Sequence, residues 1–224
     1  MIRRVVDALT SATSVGGLVM CGPAEDVVQS SPELQTLTRQ DGVRWIAPAT
    51  SPASSVLAAL DALPDDAPVL VTTADHALLR PEIVDHFVQE AVALDADVVA
   101  GVARLDRVLL EYPELKKTPH RLKDAGWCGC NLFLMKTTRG RRAPEYWRQI
   151  EVLRKRPWRA ARLIGWGFLF RYLMRTMTLE VATGHIAERM GAQVATVELP
   201  FAEAAVDVDS EHDWQVIRHA VAQT

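Results

Sequence analysis

Residues 69–87, VLVTTADHALLRPEIVDHF, carry a short apolar, β-branched run straight into an aspartate, Asp75, before a helical pattern opens at Pro81. Val69, Leu70 and Val71 read as an interior strand, and the chain turns polar at Thr72, Thr73 and Asp75. In open α/β sheets the C-terminal strand ends face the ligand crevice, so an acid there is placed to hold a phosphate-bound metal. Asp75 is an equally good candidate to cap the following helix or a short turn before it. A second acidic pair lies in Val206-Asp207-Val208-Asp209-Ser210. If that run is extended, alternate side chains share a side and Asp207 and Asp209 point together. Mg2+ prefers hard oxygen ligands and takes one or two carboxylates beside water and substrate phosphate, which makes Asp75 and Asp209 a candidate pair. Asp209 and Ser210 are also ordinary caps for the terminal helix, and capping does not exclude ligation.

Three further groups suit anionic or base ligands. Ser51-Pro52-Ala53-Ser54-Ser55 is a helix start with several hydroxyls, and a helix N-terminus offers unpaired amides to an anion or a base edge. An N-cap with Pro in the first turn explains the same residues. Lys116, Lys117, His120, Arg121 and Lys123 stand next to the Gly126–Asn131 turn, either as solvated cations or as a phosphate clamp over the crevice. In RKRPWRAARLIG most arginines suit a solvated helix start, while Lys155 or Arg156 is long enough to reach an acceptor phosphate. His76, directly after Asp75, reads as a loop histidine or an outer group of the same site.

These groups need a scaffold of alternating helices and strands. Helical patterns occupy residues 1–11, 51–63, 81–94 and the C-terminal SEHDWQVIRHAV, with strands near 15–20, 45–46, 68–72 and 97–102. Strands separated by helices of ten to fifteen residues predict a mainly parallel sheet covered on both faces. A polar, Lys-rich stretch after Arg104 precedes the apolar strand Asn131–Met135, and residues 143–183 read as helical with breaks at Pro157 and Gly165. The sequence therefore predicts one domain over 1–224, with a substrate-side lobe around 104–190.

With 224 residues and 49% hydrophobic content the chain can fill one sizeable core. A net charge of −3 disfavours nucleic acid as a general partner, because backbone phosphates demand a basic face. Cys21, Cys128 and Cys130 are odd in number and lack zinc or redox spacing, so they read as reduced thiols. Met1 opens onto MIRRVVDAL with no secretory h-region, which predicts a cytoplasmic location. Residues 160–174, AARLIGWGFLFRYLM, are too short and too charged to span a bilayer. Trp166 and Phe168 make that segment a buried helix, or a candidate membrane-surface or homodimer contact.

Taken in order, TTADHALL, CNLFL, RKRPWRAARLIG and AAVDVDSEHDW resemble the MobA-like nucleotidyltransferases, relatives of the molybdenum-cofactor guanylyltransferase. The resemblance implies a Rossmann-like, three-layer α/β/α fold of the glycosyltransferase-A type. It implies Asp75 and Asp209 as Mg2+ ligands, with Asp207 behind them or as a substitute, and Lys123 or Lys117 on phosphate. Asn131 would line the acceptor pocket, and Ser51, Ser54 and Ser55 would lie beside the nucleotide base. The implied reaction moves a nucleoside monophosphate from an NTP to a phosphorylated small-molecule acceptor and releases pyrophosphate.

The sequence departs from that family at its start. Members open with an apolar strand and a Gly-rich loop bearing an arginine and a lysine, whereas here no GxG stands near residue 1. The expectation is a sheet without its first strand and a much weakened grip on the triphosphate, because the loop's amides supply much of that binding. Two other readings follow from the gap: a glycosyltransferase using a nucleotide-sugar, or a non-catalytic binding protein on the same fold.

Overall fold

The computed structural model describes residues 1–153 and 157–223. In chain order the first half comprises α1 (Ile2–Ser11), β1 (Leu18–Cys21), α2 (Glu25–Ser30), α3 (Pro32–Thr38), β2 (Val43–Ile46), α4 (Pro52–Leu60), β3 (Val69–Val71), α5 (Pro81–Ala93) and β4 (Val98–Arg104). The second half comprises α6 (Leu105–Glu111), β5 (His120–Arg121), β6 (Gly126–Met135), α7 (Ala143–Leu153), α8 (Pro157–Ile164), α9 (Trp166–Leu173), α10 (Leu179–Met190), β7 (Val194–Glu198) and α11 (Glu211–Gln223). Short 3-10 turns at Gly140–Arg142 and Ala202–Ala205 precede α7 and the 206–209 run.

The main sheet has the order β3-β6-β4-β7, with β5 a short addition to β6. β4 and β7 are parallel, and β6 runs against both β3 and β4. Period-two alternation loads both faces of this sheet. Leu70, Val99 and Leu134 join Val5, Leu9, Ile83 and Phe87 from α1 and α5 on one side. Val69, Val71, Val98 and Met135 meet Val56, Leu60 and Trp147 from α4 and α7 on the other. The result is the expected α/β/α layering, in which strands buried on both faces read as continuous apolar runs.

The sheet is interrupted. β1 pairs in parallel with β2, Leu18 opposite Val43, and this pair forms a separate two-stranded sheet. α1 packs on β1 through Val6 and Met20 and reaches the cluster containing Leu70 of β3. α4 contacts β1 and also packs on Val69 and Val71. The same two helices thus bridge β1 and β3, yet neither strand pairs on its second edge among the described residues.

Two parts of the sequence reading needed extension. The strand expected at Asn131–Met135 begins five residues earlier, at Gly126, because Trp127 and Cys128 are buried and continue the ladder opposite β4. Glu25–Ser30 and Pro32–Thr38 form two short helices, and Leu105–Glu111 a third, in stretches to which the sequence expectation assigns no element.

Candidate active site

Three contacts tie the loop after β3 to the segment before α11. The Asp75 carbonyl accepts the Val208 N–H at 3.1 Å. His76 Nε2 lies 3.3 Å from the Glu203 carbonyl, and Arg80 donates to the Glu203 carboxylate at 2.5 Å. Segments far apart in sequence therefore meet, which is the condition that a shared role for Asp75 and Asp209 requires. Replacing Glu203 by glutamine keeps the backbone contact to His76 and removes the ion pair from Arg80. Urea unfolding should then show a loss of about 1–2 kcal/mol, because a partly buried guanidinium is left without its counter-charge.

Asp75 itself sits in a tight turn. Its carbonyl also accepts the Ala77 N–H, and its carboxylate accepts the Thr73 hydroxyl at 2.5 Å. It does not cap α5, whose N-cap is Arg80 without a side-chain bond. At the other end, Ser210 rather than Asp209 caps α11: its hydroxyl accepts the Asp213 N–H and donates to the Asp213 carboxylate. Val206 and Val208 turn into an apolar cluster with Ala77, Leu78 and Ile217, and Asp207 and Asp209 turn the other way. The alternation expected of an extended run is observed, and capping does not use up either acid.

Asp207 and Asp209 line a cavity of about 240 Å3 with Lys116, Lys117, Thr118, Cys128, Gly129, Asn131, Ala205 and Asp213. Lys117 forms an ion pair with Asp207. Burial lowers the Lys117 pKa, and the nearby Cys128, Asp213, Asp209 and Asp75 oppose that effect. The lysine thus stands in the field of the acidic groups from both segments. Burial drives His76 down to about 4, so it is a neutral imidazole near pH 7 and adds no positive charge beside Asp75.

Asn131 enters the cavity through a bulge in β6. Ala100 pairs with Phe133 and Val102 with Gly129, so Cys130, Asn131 and Leu132 together oppose only Gly101. Asn131 adopts φ 50°, a left-handed conformation that Asn tolerates better than most residues. Gly101 opposite it leaves little room for a side chain, since a Cβ there would lie 3.3 Å from Leu132 Cβ and 3.3 Å from Leu199 Cδ1. Bulges beside active sites re-aim side chains in this way.

The remaining candidates lie apart from this cluster. Lys123 is exposed in the β5–β6 turn, its backbone N–H on the Met177 carbonyl, and does not line the cavity. Ser51 caps α4 through the Ser54 N–H, the Ser55 hydroxyl accepts the Ala49 N–H, and Glu151 of α7 accepts the Ala53 N–H. The Ser51 hydroxyl thus caps α4, and the Ser55 hydroxyl braces the loop before it. Lys155 lies outside the described residues. Thr73, Thr118 and Asp213 were missed; the Ser210-x-x-Asp213 spacing of a capping box could have marked the last.

The oxygen donors at the site are the carboxylates of Asp75, Asp207 and Asp209, a hard set that suits Mg2+, and the Lys117 ammonium and Cys128 thiol stand beside them. No group of three or more His, Cys, Asp or Glu side chains is arranged as a metal cage among the described residues. A two-carboxylate site completed by water and phosphate needs no such cage.

A family model described as the MobA-like NTP transferase domain matches residues 1–160. The chain belongs to this family. The match spans α1 through α7, with Asp75 and Asn131, and leaves Asp207 and Asp209 beyond it. A structure titled as a hypothetical transferase from Thermus thermophilus is 27% identical, with a TM-score of 0.76 over 95% of this chain and 85% of that one. The 4-diphosphocytidyl-2C-methyl-D-erythritol synthase of Anaerococcus prevotii is 12% identical, with a TM-score of 0.53 over 99% of this chain and 84% of that one. A CMP:2-keto-3-deoxy-manno-octonic acid synthetase complexed with CTP is 11% identical, with a TM-score of 0.56 over 99% and 87%. The last two show the fold alone, and it is the nucleotidyltransferase fold expected from the sequence. No curated protein sequence matches the chain.

Proposed function

We propose that this MobA-like protein transfers a nucleoside monophosphate from an NTP to a phosphorylated small-molecule acceptor and releases pyrophosphate. The observation that carries the reading is the Asp75 carbonyl to Val208 N–H bond, which joins the two acidic segments beside Lys117. An acceptor phosphate oxygen attacks the α-phosphorus in line, the bond from that phosphorus to the β-bridging oxygen breaks, and pyrophosphate departs. Positioning and charge neutralisation supply most of what such a displacement needs.

Asp75 and Asp209 hold Mg2+, which when bound neutralises charge on the phosphate oxygens. Asp207 orients Lys117, and Lys117 draws the two anions together. Asn131, which lines the same cavity, contacts the acceptor. Pyrophosphate release should be measured with each NTP, Mg2+ and a panel of sugar, polyol and pterin phosphates. The chain should be assayed alone and with a family-type strand and Gly-rich loop added before Met1. Acceptor-dependent pyrophosphate release is the expected result. Sugar transfer from a nucleotide-sugar, abolished by Asp75→Ala, would replace this reading with a glycosyltransferase. Absence of any nucleotide binding in both forms would leave a non-catalytic binding protein.

A further inference from the structure

α9 carries apolar residues on two opposite faces. Phe168 and Tyr172 turn inward, packed with Leu122, Trp127 and Met177, and the Tyr172 hydroxyl meets His120 Nδ1 at 3.1 Å. Trp166, Phe170, Leu173 and Met174 follow the i, i+4, i+7, i+8 spacing of a single helical stripe. That stripe is 53–68% exposed. Trp158 of α8 extends it: its ring centroid lies 5.8 Å from that of Trp166, and it is 75% exposed. Single exposed apolar side chains are ordinary, but a contiguous stripe with two tryptophans on adjoining helices marks a contact surface.

The charge around the stripe identifies what it contacts. Residues 152–179 contain seven Lys and Arg and no Asp or Glu, in a chain whose net charge is −3. Arg159, Arg162, Arg171 and Arg175 are exposed on or beside the two helices. Aromatic and aliphatic residues on one side with arginines around them are what a helix in the plane of an anionic membrane presents. A two-fold contact between copies would instead set this segment's cations against their symmetry mates with no carboxylate in the segment to offset them. No helix among the described residues is long and apolar enough to cross a membrane.

We propose that the α8–α9 face docks on an anionic lipid surface, Trp158, Trp166, Phe170, Leu173 and Met174 entering the headgroup boundary and the arginines pairing with lipid phosphates. Co-sedimentation of the full chain with phosphatidylcholine vesicles containing about one-third phosphatidylglycerol tests this. Binding should be strong there, weak on pure phosphatidylcholine, and reduced by salt at about 0.5 M. Trp166→Ser with Phe170→Ser should cut partitioning at least about tenfold, because both side chains lose their apolar burial. Val92→Ser, an exposed apolar site on α5, should leave it unchanged. Circular dichroism of each variant should match the parent, since none of the altered residues is buried. Absence of binding to the anionic vesicles, or equal binding to both vesicle types, overturns the proposal. So does a dimer in sedimentation velocity that the double variant abolishes while no vesicle binding is seen, which would assign the face to a second copy.

Discussion

Asp75→Asn is expected to lower the rate of nucleotidyl transfer about a thousandfold, equivalent to about 4 kcal/mol of transition-state stabilisation. The substitution keeps the side chain's shape and its ability to accept the Thr73 hydroxyl, and it leaves the backbone bond from Val208 untouched. Only the negative charge is removed. Stability should therefore change little, and the loss should fall on turnover and on the Mg2+ concentration needed for half-maximal rate. Asp209→Asn should behave in the same way, since Ser210 and not Asp209 caps α11. Asp207→Asn should differ: it strips the partner from Lys117 and should raise the KM for the phosphate substrate more than it lowers kcat. Full activity in Asp75→Asn with unchanged Mg2+ dependence would remove the metal role and leave Asp75 as a turn residue.

How much of this could be read beforehand depended on the range of the forces involved. The strands at β3 and β4 were legible because sheet positions packed on both faces demand consecutive apolar residues, which Val69–Val71 and Val98–Val102 supply. The outward aim of Asp207 and Asp209 followed from period two alone. The junction of Asp75 with that segment did not, because it rests on a backbone bond and on the Glu203 contacts, neither of which leaves a mark on side-chain pattern. α6 was hidden because LDRVLLE buries only Val108 and its exposed Leu109 and Leu110 obscure the amphipathic period. The opening of β6 was hidden by two glycines, Gly126, which packs against Leu105, and Gly129, which lines the cavity. The local departure from strand-like sequence at Gly129 thus coincides with the site, where pattern gives way to function.

Gly140→Ala should destabilise the fold by about 3 kcal/mol, at the upper end for one added methyl group. A Cβ at Gly140 would lie 2.2 Å from the Asp97 carbonyl oxygen and 3.2 Å from Val98 Cγ2, and the first of these is backbone that cannot rotate away. That carbonyl is also engaged, accepting the Lys136 N–H at 2.8 Å as β6 ends. The Asp97 carboxylate fixes the surroundings further, accepting the Thr137 hydroxyl at 2.6 Å and the Gln193 N–H at 2.8 Å. Burial works against its charge, but those bonds and the Arg139 guanidinium prevail and hold the carboxyl below its ordinary range. One aspartate thus joins the start of β4, the end of β6 and the approach to β7, so the clash cannot be relieved by moving one strand alone. Thermal unfolding should fall by about 10 °C for a chain of this size. The loss should shrink in an Asp97→Ala background, where the strands are freer to shift, and that non-additivity separates a rigid junction from a simple steric clash.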